Sequence, residues 1–429
     1  MYLGNEVLPK IYILNRYKLM TSALAGVVGF FLCKGGFMLV NVGMILVAGL
    51  IGGKIFEKIR LAPIIGMLLA GIIISPNLLG LVRGDITNLS KDLRQIALVV
   101  ILTRAGLSLS FEKLREVGIS AVLMTFVPAS IEIIAITFFA VKIFNLDILD
   151  ASILGSVLGA VSPAIVVPRM IKLMEEGYGK NKKIPEIILA GSSIDDVYTI
   201  VFFTVFLNLK LGGDFSWINF VNIPISIGTG ILFGLLLGHI LNIVYRKINL
   251  TSVYQAIVLI SISFFIVSFE DTINNYLAFS GLVSIISMAM TIKKLNPDLS
   301  VNLLKVYGSL WEIFEIFLFV LVGITVDLSV IGKEFIPAMI LITIGLIFRM
   351  FGVYFSLIPS KLDRKEKLFT GFAYLPKATV QAAIGPVCLS YGLASGKLIL
   401  AISVIAIIYT APLGAILTDK TYKRLLTRP

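Results

Sequence analysis

The sequence predicts an all-α, polytopic membrane protein. Of its 429 residues 58% are hydrophobic and 14% are charged, whereas a soluble globular domain has roughly 45–50% and about 25%. Apolar runs recur from end to end, and a helix crosses the ~30 Å hydrocarbon layer in about 20 residues. No run alternates polar and apolar residues over about ten positions, as the strands of a membrane β-barrel do.

The apolar runs between charge clusters predict about 14 membrane helices. They are expected at 18–33, 36–53, 61–76, 93–110, 117–142, 149–171, 184–209, 220–244, 252–269, 274–292, 306–326, 335–358, 368–391 and 398–418. Residues 1–429 form one integral membrane domain, in which 1–60 hold the N-terminal helices. The first apolar run has the length of a signal-peptide core but no convincing cleavage site, so we expect it to remain as the first membrane segment.

The formal charge of +12 is explained by membrane orientation and needs no nucleic-acid partner. Most Lys and Arg lie in short loops beside apolar runs, and one set of alternate loops is far more basic than the other. The positive-inside rule then places both termini in the cytoplasm of a multi-pass plasma-membrane protein. Cys33, Cys388 and the single His239 have no disulfide or metal-ligand spacing, so we expect no bound metal cluster and no cofactor.

Five charged residues stand out inside predicted helices, where a charge costs roughly 2.5–3.5 kcal/mol on insertion scales and needs a functional or structural reason. They are Glu132, Asp195, Asp196, Arg349 and Lys377. Neighbouring helical residues point about 100° apart, so the two aspartates must face different partners. Burial and a nearby carboxylate both favour protonation, and such a group can hold either a proton or a small cation. The alternative is a structural pair satisfied by Ser192, Ser193 and buried water.

Glu132 and Arg349 could neutralise one another, and we favour a structural salt bridge over direct ion handling. Arginine does not release its proton in proteins, so Arg349 would be a fixed counter-charge. Pro163 and Pro376 interrupt membrane segments in opposite halves of the chain, a pattern that predicts inverted repeats with discontinuous helices. Lys377, directly after the second break, could balance the partial charges of helix ends. Simple proline kinks are the alternative.

Two GxxxG patterns, Gly155 to Gly159 and Gly234 to Gly238, would allow close helix contacts. Chance produces such spacings in a chain with 37 glycines, so the patterns alone do not decide whether the helices touch there.

Four segments together resemble a known family. GAVSPAIVVP, AGSSIDDV, the Arg349 helix and YLPKATVQAAIGP are similar, in order and spacing, to segments of the monovalent cation/proton antiporters and, among them, the NHA-type sodium/proton exchangers. The resemblance implies an antiporter core with two crossing discontinuous helices plus dimerisation helices, together within 61–420. It also implies a homodimer with elevator-like alternating access.

The resemblance also implies roles for individual residues. Asp196 would bind the transported ion directly, Asp195 would help to form the site, and the unwound backbone at Ala160 and Val161 would lie beside it.

Other positions match the family's pattern less directly. Glu132 and Arg349 fall where the family has a core charge pair, and Lys377 matches its lysine after the second break. Ser162 with Pro163, and Pro376, mark the two breaks.

These observations favour sodium or lithium/proton antiport, serving sodium extrusion and pH homeostasis. Potassium/proton antiport on the same scaffold is the main alternative, and a sodium-coupled symporter of organic anions is a further one. An enzyme is not expected, because the catalytic aspartates of an intramembrane protease lie on separate facing helices. Expected partners are membrane lipid and a second copy of the chain, with no soluble domain partner. The double aspartate suggests a charge-moving cycle and the fixed arginine an electroneutral one, and the sequence leaves both open.

Overall fold

The computed structural model describes residues 37–59, 61–82, 86–108, 118–212, 217–248, 250–274 and 276–428. Within these ranges the chain is helical and contains no strand. The helices are α1 (Phe37–Lys58), α2 (Pro63–Ile74), α3 (Ile86–Ser108), α4 (Ile119–Met124), α5 (Val127–Phe144), α6 (Ile148–Leu158), α7 (Pro163–Glu176), α8 (Ile184–Leu211), α9 (Trp217–Lys247), α10 (Ser252–Asn274), α11 (Gly281–Leu295), α12 (Pro297–Thr325), α13 (Leu328–Ser356), α14 (Arg364–Ala373), α15 (Thr379–Ile384), α16 (Val387–Ser390) and α17 (Gly396–Leu425).

The predicted all-helical fold is confirmed, although several helices begin earlier than their apolar runs. The predicted segment 18–33 lies outside the described residues, and every other predicted segment overlaps at least one helix. The helix α12 begins at Pro297 because the Asn296 side chain accepts a 3.1 Å hydrogen bond from the Leu299 amide. Asp327 caps α13 in the same way. Hydropathy misses these starts, because polar residues such as Asp298 in α12 and Lys333 and Glu334 in α13 interrupt the apolar run while the backbone stays helical.

The number of membrane crossings is not established at 14. Among the described residues, nine helical segments are long and apolar enough to span a membrane. The helices α2 and α11 are shorter, with 12 and 15 residues, and the segment that follows α13 is broken into α14, α15 and α16. A count based on helix length and composition therefore misses membrane crossings that are short, broken or rich in charge.

The helices form two packed groups. We call α1 to α3 with α9 to α12 the scaffold helices, and α4 to α8 with α13 to α17 the core helices; each group makes most of its contacts within itself. In the scaffold, α9 packs against α11 through the predicted GxxxG pattern. A Cβ atom on Gly234 would lie 2.4 Å from the Ser284 carbonyl oxygen, and one on Gly238 would lie 2.7 Å from that of Met288. Only glycine permits this approach.

Two membrane segments of the core are broken, and their breaks touch. The helix α6 ends at Leu158 and α7 begins at Pro163, while α14 ends at Ala373 and α15 begins at Thr379. The Ser162 amide donates a 2.7 Å hydrogen bond to the Pro376 carbonyl. The predicted pair of discontinuous helices is therefore present, and the two breaks meet in the interior of the core.

Candidate functional site

Asp195 is enclosed in the core beside the first break. It lies in α8, and its side chain is fully buried. Its Oδ2 atom accepts a hydrogen bond of 2.8 Å from the Val161 amide and another of 2.8 Å from Nη2 of Arg349. Asp195 therefore faces a fixed cation and a backbone donor, the kind of partner expected for one member of the pair.

Arg349 connects four parts of the core. Besides Asp195 it donates to Oε2 of Glu132 at 2.7 Å, to the Tyr374 carbonyl at 2.7 Å and to the Gly159 carbonyl. The structure thus brings Glu132 and Arg349 into direct contact, as the sequence suggested. It also places Asp195 in the same ion pair system, which the sequence did not reveal.

Lys377 extends this system to a chain of four alternating charges. Its Nζ atom lies 2.7 Å from Oε1 of Glu132 and donates to the Leu158 carbonyl. The order of contacts is Asp195, Arg349, Glu132 and Lys377, and all four side chains are buried. Two negative and two positive groups balance formally, which is the condition under which buried ions are tolerated.

Side chains from the second half of the chain bind the unwound backbone after α6. The carbonyls of Val157, Leu158, Gly159 and Ala160 receive hydrogen bonds from Gln381, Lys377, Arg349 and Gln381, respectively. These carbonyls lost their helical donors when α6 ended, and buried carbonyls need partners. The break is therefore stabilised by a fitted set of donors rather than by water alone.

Gln381 was missed by the sequence reasoning. It is fully buried in α15, and its Nε2 atom donates to the carbonyls of Val157 at 2.9 Å and Ala160 at 3.1 Å. A signal was available, because Gln381 is an amide in an apolar segment directly after the Pro376 break. An uncharged amide stands out less in an apolar segment than a charged side chain does.

Asp196 differs from its neighbour. It is 8% exposed, and its Oδ1 atom has no hydrogen-bond partner among the described residues. It lines a cavity of about 560 Å³, together with Pro163 and Thr379 from the two breaks. The Thr199 hydroxyl donates to the backbone carbonyls of both aspartates, so it supports the helix and leaves the Asp196 carboxylate free.

The opposite wall of the cavity belongs to the scaffold helices. Arg104 of α3 and Glu312 and Glu315 of α12 line it, and the sequence reasoning assigned none of them to a site. The cavity therefore lies between the two helix groups, with Asp196 on the core side and two further carboxylates on the scaffold side. Ser108, the last residue of α3, and Gly308 of α12 also line the cavity.

The arrangement separates the aspartates chemically. Oδ1 of Asp195, like Oδ1 of Asp196, has no hydrogen-bond partner among the described residues. The two aspartates differ because Oδ2 of Asp195 contacts the permanent cation of Arg349, whereas Asp196 lines the cavity, from which a proton or a small cation could reach its carboxylate. No group of three or more His, Cys, Asp or Glu side chains in the described ranges is placed to hold a metal ion. An ion at Asp196 would be transported cargo, not a resident cofactor.

Comparisons with known proteins agree with this geometry. Residues 42–419 match the family model described as sodium/hydrogen exchanger, transmembrane. The mouse protein sodium/hydrogen exchanger 9B2 is 30% identical over 422 residues, which cover 92% of this chain and 75% of that protein. Human sodium/hydrogen exchanger 9B1 is 31% identical over 404 residues, covering 90% and 78%.

A solved structure shows the same fold. The sodium proton antiporter MjNhaP1 from Methanocaldococcus jannaschii superposes with a TM-score of 0.75 at 22% identity, covering 90% of this chain and 97% of that one. The family model spans most of the chain. The chain therefore belongs to the sodium/hydrogen exchanger family of membrane transporters.

Proposed function

We propose that this protein exchanges Na⁺ or Li⁺ for protons by alternating access at Asp195 and Asp196. The observation that carries the proposal is the unpaired, buried Oδ1 atom of Asp196 at the cavity wall. A carboxylate in this position binds a cation when it is ionised and loses it when protonated. Competition between the two for one site couples their opposite flows.

Asp195, Ala160 and Val161 would form the rest of the ion site. The Val161 amide fixes Asp195, and Ala160 lies in the same unwound segment. The linked charged side chains of Glu132, Arg349 and Lys377 would hold that unwound segment against the second break. They would thereby keep the ion site rigid during transport.

The cavity supports an inward-facing state. Its lining includes Ser108, whose carbonyl accepts a hydrogen bond of 2.6 Å from Lys293. Lys293 lies in the basic last turn of α11, and basic helix ends and loops are cytoplasmic by the positive-inside rule. Because the cavity separates the core helices from the scaffold helices, a movement of the core along the scaffold would close it and expose Asp196 on the other side. By the same rule both termini would lie in the cytoplasm. The protein would reside in a plasma membrane as a homodimer formed through its scaffold helices.

A cation substrate fits the cavity better than an organic anion. Three carboxylates, of Asp196, Glu312 and Glu315, line it against one basic side chain, Arg104. An anion would meet net negative charge there, which disfavours the symport alternative. K⁺ stays the alternative cation, because size selection depends on ligand distances within the occupied site.

The test is a proton-flux assay in proteoliposomes. We expect Na⁺ or Li⁺ added outside acid-loaded vesicles to alkalinise the interior, and Asp196→Asn to abolish the signal while the variant still folds. Asp327→Asn, a capping carboxylate outside the cavity, is the matched control and should exchange normally. Exchange by Asp196→Asn at the wild-type rate would contradict the assignment, and a response to K⁺ alone would identify the other cation.

A further inference from the structure

Gln381 makes a contact that no other side chain of the core duplicates. Its single amide nitrogen donates two hydrogen bonds, to Val157 at 2.9 Å and to Ala160 at 3.1 Å. These carbonyls lie on either side of the point where α6 unwinds, and Gln381 itself belongs to α15, directly after the other break. One side chain therefore joins the two discontinuous segments next to the ion site.

The two carbonyls are available because of the aspartate pair. In an unbroken helix the Val157 carbonyl would accept from the amide of Val161, four residues later. The Val161 amide instead donates its hydrogen bond to Asp195. Gln381 supplies the missing donor, so the hydrogen bond that fixes Asp195 and the bonds that Gln381 makes depend on one another.

Packing alone does not explain a glutamine here. Both amide hydrogens are used by the carbonyls, which fixes the orientation of the group and turns Oε1 away from them. Oε1 is buried and has no partner among the described residues. An unpaired buried acceptor is destabilising, so the glutamine is kept at a cost that its two hydrogen bonds to the Val157 and Ala160 carbonyls must offset.

We propose that Gln381 is a positioning residue for the cation site: its amide holds the Ala160 carbonyl in the break and thereby sets the apparent affinity for Na⁺ and the discrimination between Na⁺ and Li⁺. The inference rests on the proposed function, since it concerns the same site. Discrimination between small cations depends on the number and flexibility of the oxygen ligands. A carbonyl tied to a buried amide keeps a fixed place, whereas a released carbonyl could follow an ion of either size.

The experiment compares Gln381→Met with Gln255→Met in proteoliposomes. Methionine keeps the length of glutamine but cannot donate. Gln255 is also buried, but it lies in α10 among the scaffold helices, so its replacement controls for the loss of a buried amide. Apparent KM and maximal rate are measured with Na⁺ and with Li⁺, and thermal stability is measured with and without Na⁺.

We expect Gln381→Met to raise the apparent KM for Na⁺ by about fivefold to tenfold, the factor that one lost hydrogen bond represents. The ratio of the KM values for Na⁺ and Li⁺ should change, and the stabilisation by added Na⁺ should weaken, while Gln255→Met keeps wild-type values. If Gln381→Met does not fold, Gln381→Asn retains an amide that is too short to reach both carbonyls, and the same shift in KM ratio is expected.

Two results separate the possible failures. If either Gln381 variant has wild-type KM values and a wild-type KM ratio, or loses only maximal rate and thermal stability, Gln381 is a structural residue and the inference is wrong. Activity of Asp196→Asn in the same assay would instead refute the proposed function, whatever the Gln381 variants do.

Discussion

Nη2 of Arg349 donates a hydrogen bond of 2.8 Å to Oδ2 of Asp195, and both side chains are fully buried. Arginine keeps its proton throughout the accessible pH range. Asp195 consequently has a permanent cation as its partner, so under the proposed function Asp196 is the member of the pair that would exchange a proton for an ion. This relationship bears on the stoichiometry, which the sequence left open.

We predict electroneutral exchange, because one carboxylate would carry one proton in one direction and one monovalent cation in the other. The measurement is Na⁺-driven proton flux in liposomes whose membrane potential is clamped by K⁺ and valinomycin, at zero potential and at both signs. The rates should agree. A rate that rises steadily as the vesicle interior is made more positive would show that two protons leave for each Na⁺ that enters and that Asp195 also exchanges its proton.

A second prediction concerns the other end of the buried charge chain. Glu132→Gln alone leaves Lys377 without its carboxylate partner, and Lys377→Met alone leaves one negative charge in excess. The double variant removes one charge of each sign and keeps the Arg349 to Asp195 pair. We expect each single variant to lose about 3–5 kcal/mol of stability, as when one partner of a buried pair is removed, and the double variant to lose less than the sum.

Thermal unfolding of the purified protein measures this coupling. Glu132→Gln combined with Lys210→Met is the control, because Lys210 pairs with Asp147 and Asp150 outside this chain of charges, and its effects should add. Additive losses for Glu132 and Lys377 would show that the 2.7 Å contact contributes no coupling energy.

Hydropathy and charge together predicted most of the fold. The helices follow from apolar runs, and the breaks from Pro163 and Pro376, since proline and small residues weaken a helix that other groups must then stabilise. The first residues of the helices were harder to predict, because capping residues such as Asn296 and Asp327 lie outside the apolar runs. The predicted number of fourteen membrane crossings could not be established, since broken or short helices such as α2 do not reach the length that a membrane span requires.

The site was predicted in part for a different physical reason. Buried charges are rare, so Asp195, Asp196, Glu132, Arg349 and Lys377 were visible as exceptions, and the structure brings all five together. Sequence could not give the pairing order, because it depends on how two distant segments cross.

Uncharged and cavity-lining residues were harder to find. Gln381 carries no charge, and Glu312 and Glu315, although charged and inside the predicted segment 306–326, had no visible link to the aspartate pair. Their importance depends on the cavity between the two helix groups, which the sequence pattern does not encode.

A third prediction concerns that cavity. Glu315→Gln removes a negative charge that faces the Asp196 wall, so it should raise the apparent KM for cytoplasmic Na⁺ by about twofold to tenfold at low ionic strength, because a cavity with one sign of charge concentrates the opposite ion. Arg104→Gln removes the opposing positive charge from the same cavity and should lower the KM.

The two variants control for one another. Na⁺ is added from the cytoplasmic side of oriented vesicles, at low and high concentrations of choline chloride. Added salt should reduce both shifts, since it screens charges that contact water. Shifts of the same sign for the two variants would show that packing, not charge, determines the effect.

The fourth prediction concerns Asp363, which caps α14 in a basic loop outside the membrane. Its Oδ1 atom accepts hydrogen bonds from the Lys365 amide at 2.8 Å and the Glu366 amide at 2.9 Å, and Oε2 of Glu366 accepts from the Asp363 amide at 2.8 Å. The hydrogen bond from the Glu366 amide lowers the pKa of Asp363, and the Lys365 amide and the charge of Lys182 lower the pKa further. Asp363→Ala should therefore reduce stability by about 1 kcal/mol at pH 7, the usual value of a helix cap.

The sign of the pH dependence follows from the lowered pKa. A carboxyl whose pKa is lower in the folded protein stabilises it fully above the unfolded value of about 3.9, and this contribution is lost as the pH falls through the folded pKa. The difference in thermal stability between wild type and Asp363→Ala should thus be constant from pH 7 to about pH 5 and decrease below about pH 4. Asp363→Asn keeps the acceptor without a charge, so its stability relative to Asp363→Ala should not vary with pH. If the stability difference between wild type and Asp363→Ala already declines between pH 7 and pH 5, the pKa of Asp363 in the folded protein is raised. The capping hydrogen bonds would then not explain the stability difference.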